Sequence, residues 1–370
     1  MIQVFKPHLR LGDVISVLRT LLKNNISGTS SVVKDFETKL AKKFDRKYAI
    51  AVSNGSVALD IAFQSLDLNE EDEVIVPAFT IISCLSAIIR TKAKPVFCDV
   101  DPKTWNMTLD NVKSKYTNKT KAVLMVHTYG LPADAIQISN FCNDKGLILI
   151  EDSAEAHGQT LEDIKCGSFG LISTLSFYSN KHITTGEGGA VLTDSEKIYK
   201  TAQQMRNLDF TPKERFNHEN LYWNYRIGGI QAALGVSQLK NIDNVIEQKI
   251  KQGNYYIHLL RNETNKIELP LNEIDGSKNH FWVFGILLKK EGIRDKIMES
   301  LAKKNIETRP FFWPLHMQKY ILNDGSINIE KLPISEKLGK NGLYLPMGNH
   351  INKKTQEKIV ESLLLSINEL

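Results

Sequence analysis

Short apolar runs alternate with segments of helical period over the first two-thirds of the chain. Five runs carry a strand signal, and they lie at 47–52, 73–76, 95–98, 122–126 and 147–150. After the first run, apolar side chains recur from Leu59 to Leu66 at the spacing of one helical face. Parallel strands need a crossover, usually a helix, to connect them. The pattern therefore predicts an α/β fold with a large, mostly parallel sheet.

The pattern changes after Gly167. Two apolar runs, 172–178 and 189–193, follow one another across a Gly-rich turn that leaves no room for a helix. They predict a hairpin at the edge of the sheet.

A long helical pattern over 242–260 precedes a region of different texture. This region holds an apolar run at 281–288, helical spacing around Ile297, and a closing helix with Ile359 and Leu363 on one face. We therefore predict two domains: a large mixed-sheet domain over 1–240 and a smaller C-terminal α+β domain over 241–370.

The composition is that of an ordinary folded protein, since 42% of the 370 residues are hydrophobic and 24% are charged. The 47 Lys and Arg residues only slightly exceed the 42 Asp and Glu residues, and the charges are scattered. This balance favours no nucleic-acid partner. No run approaches the roughly 18 apolar residues of a membrane span. We expect a soluble, cytoplasmic protein without a nucleic-acid or membrane partner.

The four cysteines, Cys84, Cys98, Cys142 and Cys166, form no CxxC pair and have no His at the spacing of zinc ligands. The sequence therefore predicts neither a metal site nor a disulfide framework, which fits a reducing compartment.

The first segment suited to chemistry is 53–56, Ser-Asn-Gly-Ser, between a predicted strand and a predicted helix. Small residues permit a tight turn, and the N–H groups of a first helical turn can hold a phosphate. The same segment is also an ordinary helix cap. Both interpretations stay open at this point.

The second feature is Asp152, which follows Glu151 directly after the apolar run 147–150. Ligands of open α/β sheets bind outside the carboxyl ends of the strands. An Asp at this position can accept from a ribose or from a cofactor ring nitrogen, or it can cap the next helix.

The third feature is Lys181, between the run 172–178 and the Gly-rich turn. Burial lowers the pKa of an amine and favours its nucleophilic form; an ordinary surface lysine is the alternative. Taken together, a phosphate seat, an acid and an amine are the parts needed to hold pyridoxal phosphate.

Longer segments resemble the sugar-nucleotide aminotransferases of the DegT/DnrJ/EryC1/StrS family, in order and over nearly the whole chain. These segments are 53–59, 72–77, 126–130, 150–158, 176–189, 224–226 and 306–310. The resemblance implies the aspartate aminotransferase fold, which is fold type I of the pyridoxal-phosphate enzymes. It also implies a transaminase that depends on pyridoxal 5'-phosphate.

The resemblance also implies roles for individual residues. Lys181 would be the catalytic residue that joins the cofactor covalently and then moves a proton between the cofactor and the sugar carbon. Asp152 would pair with the ring nitrogen, and Glu155 would lie near the phenolic oxygen. The other implied cofactor contacts are Gly55, Ser56 and Ser176 at the phosphate, Ile81 at the ring, and Asn224 from a neighbouring subunit. A homodimer with shared active sites follows.

Some positions depart from the family pattern. Ile81 stands where the family usually has an aromatic residue that stacks on the cofactor ring, so aliphatic contact would replace stacking. Tyr222, Asp209 and segment 227–229 also differ, and they lie near the substrate in relatives. These departures concern the sugar specificity more than the chemistry.

Within the family, the segments around Lys181 and at 307–316 are most similar to those of perosamine synthases. This implies amination of GDP-4-keto-6-deoxymannose at C4, with glutamate as amino donor and His316 as a substrate contact. The setting would be the synthesis of surface polysaccharide, such as the O-antigen of lipopolysaccharide.

Three alternatives remain at this stage. The substrate can be a UDP- or dTDP-linked keto sugar instead. The chain can instead be a related dehydratase that acts on the same sugars, but those relatives carry His at the position of Lys181, so this lysine speaks against that alternative. From another class, the chain can be a catalytically silent regulatory protein that binds the cofactor, since a fold alone does not guarantee activity.

Overall fold

Fifteen strands are present in the computed structural model, which describes residues 1–210, 215–325, 327 and 329–370. In chain order they are β1 (Tyr48–Val52), β2 (Glu73–Pro77), β3 (Lys94–Cys98), β4 (Thr120–Val126), β5 (Ile148–Asp152), β6 (Thr160–Leu161), β7 (Ile164–Lys165), β8 (Ile172–Ser176), β9 (Gly189–Thr193), β10 (Ile267–Glu268), β11 (Glu273–Ile274), β12 (Ser277–Lys278), β13 (Phe284–Leu288), β14 (Arg309–Pro310) and β15 (Gly342–Leu345).

Thirteen α-helices and one 3-10 helix, Leu315–Met317, lie in the same described ranges. The α-helices are α1 (Leu11–Leu22), α2 (Ser31–Lys43), α3 (Gly55–Gln64), α4 (Ile82–Arg90), α5 (Leu109–Lys115), α6 (Ala135–Lys145), α7 (Glu196–Arg206), α8 (Gly229–Leu239), α9 (Ile242–Leu260), α10 (Arg294–Lys303), α11 (Lys319–Asp324), α12 (Pro333–Asn341) and α13 (Lys353–Asn368).

The larger sheet has seven strands in the order β1-β9-β8-β5-β4-β2-β3. Strands β8, β5, β4, β2 and β3 pair in parallel, whereas β9 runs antiparallel to both of its neighbours. Each of the seven apolar runs from 47 to 193 that predicted a strand forms one of these strands. The prediction of a large, mostly parallel sheet is confirmed.

The predicted hairpin of β8 and β9 forms, but the prediction that it lies at the sheet edge is wrong. Strand β9 lies between β8 and β1, with Tyr48 opposite Thr193 and Val52 opposite Gly189. All five residues of β9 are buried. Such an apolar strand is unsuited to an edge, where one side would expose unpaired backbone groups to water.

Helix α3 follows β1 as the sequence predicts. The side chain of Asn54 caps it by accepting a hydrogen bond from the N–H of Val57, 2.9 Å away. The predicted apolar face packs into the core of the sheet, and Phe63 at its centre is fully buried. Cap and apolar face together set the first turn of α3 at the carboxyl end of β1.

The second sheet is antiparallel and has four strands in the order β10-β13-β15-β14. Its core includes Ile297 of α10 together with Ile359 and Leu363 of α13, which confirms the helical faces predicted there. Helix α9 has the bounds that its apolar pattern predicts. The predicted strand at 281–288 begins later, at Phe284, because the backbone of Phe281 turns through a φ of 46°.

An aromatic cluster joins the two sheets. Tyr129, after β4, lies with its ring centroid 5.0 Å from that of Phe311 and 5.7 Å from that of Trp282. The N–H of Phe312 donates to the Tyr129 hydroxyl across 3.3 Å. The elements around the second sheet are therefore fixed against the carboxyl ends of the first.

None of the helices in the described parts of the chain is both long and apolar enough to cross a membrane.

The buried carboxylate of Glu151 organises the loop after β7. Its two oxygens accept hydrogen bonds from the side chains of His127, Ser153 and Ser173 and from the N–H groups of Gly167, Phe169 and Gly170. Burial alone favours the neutral acid, but the hydrogen bonds from His127 and from the N–H groups of Gly167 and Gly170 lower the pKa of Glu151 to about 2.

The polar atoms of His127, Glu151 and Cys166 also lie within 4.8 Å of one another, as metal ligands do. The two nitrogens of His127 are already engaged, however: Nε2 lies 2.8 Å from Glu151, and Nδ1 accepts from the N–H of Ala133 at 2.9 Å. A nitrogen that accepts a hydrogen bond has no lone pair left for a metal. The cluster is therefore a structural hydrogen-bond network.

Glu151→Gln tests this network. We expect the free energy of unfolding at pH 7 to fall by roughly 2–4 kcal/mol. The amide NH₂ of Gln would replace one accepting oxygen and face N–H and O–H groups that now donate to the carboxylate. The folded pKa lies below the ordinary 4.5. The stability from ionised Glu151 is therefore complete above about pH 4.5 and is lost as the pH falls toward 2.

Urea unfolding at pH 7 and pH 3, followed by circular dichroism, measures both effects. The difference in the free energy of unfolding between wild type and Glu151→Gln should be smaller at pH 3 than at pH 7. Glu299→Gln, at an exposed position on α10, is the matched control and should leave stability unchanged at both values. An equal difference in the free energy of unfolding at pH 7 and pH 3 would contradict the role of ionised Glu151 in this network.

Candidate active site

A cavity of about 580 Å³ opens at the carboxyl ends of β4, β5 and β8, beside the first turns of α3 and α4. It lies where ligands bind in open α/β sheets. Seven of the residues predicted for the site line it: Gly55, Ser56, Ile81, Asp152, Glu155, Ser176 and Lys181. The structure thus brings together residues that are far apart in the sequence.

The amine of Lys181 is buried in the cavity. Its side chain is 9% exposed, and its Nζ lies 3.5 Å from Oε1 of Glu155 and 3.6 Å from the ring centroid of Trp282. Burial lowers the pKa of Lys181, while the charges of Glu155 and Asp152 act in the opposite direction. A buried amine of this kind is readily converted to its nucleophilic form.

Asp152 ends β5 with its carboxylate in the cavity. Its Oδ1 accepts from the N–H of Ala154 at 3.0 Å, and its Oδ2 faces the Cys84 thiol, a weak donor, at 3.5 Å. Burial raises the pKa of Asp152, opposed by the Ala154 hydrogen bond and the charge of Lys181. This oxygen is therefore suited to a stronger, positively charged donor.

Glu155 links the cavity to the aromatic cluster. Its Oε2 accepts from the N–H of Tyr129 at 3.0 Å, while its Oε1 faces Lys181. Burial raises the pKa of Glu155 to about 7, although the nearby Lys181 favours the charged form. Near neutral pH this carboxyl can therefore hold or release a proton.

The first turn of α3 forms a cradle of small residues. A Cβ at Gly55 would lie 2.7 Å from Cβ of Ser176, so no larger residue fits at this position without a shift of the backbone. The hydroxyls of Ser56 and Ser83, at the starts of α3 and α4, are 2.7 Å apart. Two helix N-termini with small side chains are suited to a phosphate.

Ile81 precedes α4 at the cavity wall and is 40% exposed. The sequence does not predict the aromatic part of the cavity wall, which consists of Tyr178, Trp282, Phe312 and Tyr344. These residues come from distant segments, and no local pattern marks them. The apolar run at 281–288 contains Trp282, but a strand pattern does not indicate which residue turns toward a ligand.

Asn224 and His316 lie outside this cavity. Asn224 is exposed in a surface loop, where its Oδ1 accepts from the N–H of Arg226 at 3.3 Å. His316 is 2% exposed in the 3-10 helix, with its ring 6.3 Å from that of Phe97 and its Nε2 3.6 Å from Glu336. The structure therefore places His316 in the protein interior, outside the lining of this cavity, and its role as a substrate contact stays a prediction.

The cavity residues fit pyridoxal phosphate. The cradle at Gly55 is suited to its phosphate, the under-bonded Oδ2 of Asp152 to its ring nitrogen, and Glu155 to an adjacent hydroxyl. Among the described residues, Nζ of Lys181 donates to Oε1 of Glu155 across 3.5 Å, which is long for a hydrogen bond. A buried amine whose hydrogen bond is this long is suited to a covalent partner.

Comparison with known proteins supports this interpretation. The profile of the DegT/DnrJ/EryC1/StrS aminotransferase family matches residues 12–364. GDP-perosamine synthase from Escherichia coli O157:H7 is 36% identical over 363 residues, which cover 98% of this chain and 97% of the relative.

Solved structures agree with the sequence comparison. The Escherichia coli GDP-4-keto-6-deoxy-D-mannose-3-dehydratase with bound hydrated pyridoxal phosphate is 25% identical, with a TM-score of 0.89 over 98% of this chain and 100% of the other. A mutant of GDP-4-keto-6-deoxymannose-3-dehydratase with bound GDP-perosamine is 25% identical, with a TM-score of 0.90 and the same coverage. The predicted fold class is confirmed.

Gly55→Ala tests the phosphate cradle. The added methyl group would meet Ser176 at 2.7 Å and push the first turn of α3 away from the phosphate position. We expect the affinity for pyridoxal phosphate to fall roughly 10-fold or more, since a lost hydrogen bond to a charged group has about this effect. Absorbance titration of the apoenzyme measures it.

Gly12→Ala is the matched control, because its Cβ would meet only the Ser237 hydroxyl at an ordinary 3.6 Å. It should bind the cofactor like wild type. Unchanged affinity in a folded Gly55→Ala protein would place the phosphate elsewhere.

Proposed function

Because this chain belongs to the DegT/DnrJ/EryC1/StrS family and is a pyridoxal-phosphate-dependent sugar aminotransferase, we propose that it aminates C4 of GDP-4-keto-6-deoxymannose. The proposed amino donor is glutamate, and the product is GDP-perosamine. The observation that carries the proposal is the buried amine of Lys181 beside Glu155 and Asp152, in a chain similar to GDP-perosamine synthase over nearly its whole length.

The proposed role of Lys181 follows from its surroundings. When bound, pyridoxal phosphate supplies the carbonyl that accepts an amino group and the conjugated ring that takes up an electron pair. The amine of Lys181 is the base in the cavity that can take a proton from the substrate carbon and return it. Burial keeps its pKa below that of a free lysine, so that loss of a proton costs less.

The carboxylates divide two further tasks. Asp152 would hold a proton at the ring nitrogen, because its Oδ2 faces the Cys84 thiol, a weak donor, and a charged N–H is a better partner. Glu155 orients Lys181 and can exchange a proton with a hydroxyl near it. Gly55, with Ser56 and Ser176, anchors the phosphate.

The aromatic wall supports a sugar nucleotide as the other substrate. Trp282, Phe312 and Tyr344 come from segments around the second sheet, which falls in the proposed domain 241–370. Apolar sugar faces, such as that of a 6-deoxy sugar, pack on aromatic rings, and a few polar groups then fix the orientation. We propose that this domain closes the cavity over the sugar, in the synthesis of cell-surface polysaccharide.

A homodimer with shared sites forms part of the proposal. Several apolar side chains are open to solvent on α1 and near Asn224, including Leu22 at 75%, Leu221 at 98% and Trp223 at 66% exposure. Exposed apolar groups on this scale are typical of an interface. Burying them against a second copy would bring the loop of Asn224 to a neighbouring cavity.

A panel of substrates tests the reaction. The protein loaded with pyridoxal phosphate and glutamate should convert the GDP-linked 4-keto-6-deoxy sugar with a kcat/KM roughly 100-fold above that of the UDP- and dTDP-linked sugars, because a site that hydrogen-bonds one base leaves groups unpaired with another. Lys181→Ala is the control for the chemistry and should lower turnover roughly 1,000-fold or more.

Preference for the uridine or thymidine nucleotide would overturn the GDP assignment. Near-normal turnover by Lys181→Ala would overturn the role of that amine. Release of a deoxygenated sugar without incorporation of nitrogen would favour the dehydratase instead.

Mixed dimers test the shared site. Lys181→Ala and Asn224→Ala chains are each expected to be inactive alone. After subunit exchange, one site of each mixed dimer would be complete, so about a quarter of wild-type activity should return. A mixture of Lys181→Ala and Asp152→Asn chains is the control and should stay inactive, because both groups line the cavity of one chain. Absence of recovery in the first mixture, with exchange verified by mass spectrometry, would exclude the shared geometry.

A further inference from the structure

Lys249 is a second lysine with a buried amine, on α9 outside the lining of the 580 Å³ cavity. Its Nζ donates to the backbone carbonyl of Trp282 at 2.7 Å and faces that of Phe281 at 3.4 Å. Burial and, to a smaller extent, the charge of Lys181 lower the pKa of Lys249 to about 7. Burying a charged amine costs solvation free energy. The turn that this amine holds leads to Trp282 in the cavity wall.

The turn at Phe281 is strained. Phe281 has a φ of 46°, a left-handed conformation that bulky side chains rarely adopt. The Oδ1 of Asn279 accepts from its N–H at 2.7 Å. Such a conformation persists where its surroundings over-determine it. Here the contacts of Asn279 and Lys249 hold both sides of the Phe281 backbone.

Helix α9 packs directly on this turn. Gly253, one helical turn after Lys249, faces the Phe281 ring so closely that a Cβ at this glycine would lie 2.3 Å from a ring carbon. Residues four apart share one face of a helix. The same face of α9 therefore holds the backbone of the turn through Lys249 and its side chain through Gly253.

The turn ends at Trp282, which contacts the reactive lysine. The indole ring centroid lies 3.6 Å from Nζ of Lys181, and its Nε1–H donates to the carbonyl of Asn180 at 3.2 Å. The face of an indole ring stabilises a nearby ammonium. A displaced Trp282 would change both the charge balance and the position of the Lys181 amine.

We propose that Lys249 is a positioning residue for Lys181. Its amine holds the carbonyls of Phe281 and Trp282 and so keeps the indole against the reactive amine. Lys249 acts through Trp282 and does not touch the substrate. The inference rests on the proposed role of Lys181, but its first test uses the apoenzyme and needs no reaction.

Chemical labelling of the apoenzyme provides that test. Acetylation of Lys181 by acetic anhydride, followed across pH by peptide mass spectrometry, reports how readily this amine loses its proton. Lys249→Met removes the donor that holds the turn. We expect the midpoint of the Lys181 labelling profile to fall by about one pH unit, because the Lys181 ammonium loses the indole face that stabilises it. Lys249→Arg keeps a donor and should restore most of the wild-type profile.

A double-mutant cycle separates this route from a direct effect of charge. In a Trp282→Leu background, Lys249→Met should cause no additional shift. Turnover of the holoenzyme should follow the same pattern, with kcat falling roughly 10- to 100-fold for Lys249→Met alone, as expected for a small misplacement of a reactive group. Lys251→Met, exposed on the same helix, is the matched control and should change neither readout.

Three results would overturn the proposal: an unchanged labelling profile in Lys249→Met, an equal shift in the Trp282→Leu background, or no rescue by Lys249→Arg. If Lys249→Met does not fold, Gly253→Ala reaches the same turn from the next position and should shift the profile likewise. A wild-type profile in folded Gly253→Ala would then count against the proposal. A failure of substrate turnover with the labelling pattern intact would concern the proposed function alone.

Discussion

The end of strand β5 is the constraint on which the site depends. Successive side chains of a strand point to opposite faces, so Glu151 and Asp152 lie on opposite sides of the sheet. On one side, six hydrogen-bond donors satisfy Glu151 and tie down the loop before β8. On the other side, Asp152 faces the cavity with few partners. Glu151, with six donors, fixes the backbone, whereas Asp152, with fewer and weaker donors, can bond to a ligand in the cavity.

Burial sets the electrostatics of the cavity. Two carboxylates and one amine share a space from which much water is excluded, and each of their pKa values is moved toward the neutral form. Their opposite charges limit this effect. The second sheet completes the arrangement, because Trp282 covers Lys181 and Tyr129 connects Glu155 to the aromatic cluster. The reactive groups thus depend on contacts from both parts of the fold.

The sequence predicted what is local and missed what is long-range. The strands of the large sheet, helix α9 and the cluster of Gly55, Asp152 and Lys181 follow from apolar period and short motifs, because each strand end carries its own polar residue. The position of β9 in the sheet could not be predicted from local sequence, since β9 pairs with β1, a strand that is distant in the chain. Nor could the aromatic wall. The burial of His316 likewise depends on long-range packing, here against Phe97, which no local pattern indicates.

The pairing of β9 with β1 has a consequence for the newly made chain. Strand β1 ends at Val52, and its one partner in the large sheet begins at Gly189. During synthesis from the N-terminus, β1 and the helix cap that follows it must wait until the whole parallel sheet has emerged. An apolar strand without a partner is open to pairing with other chains. The phosphate cradle at the first turn of α3 therefore lies beside a strand whose only sheet partner among the described strands is synthesised about 140 residues later.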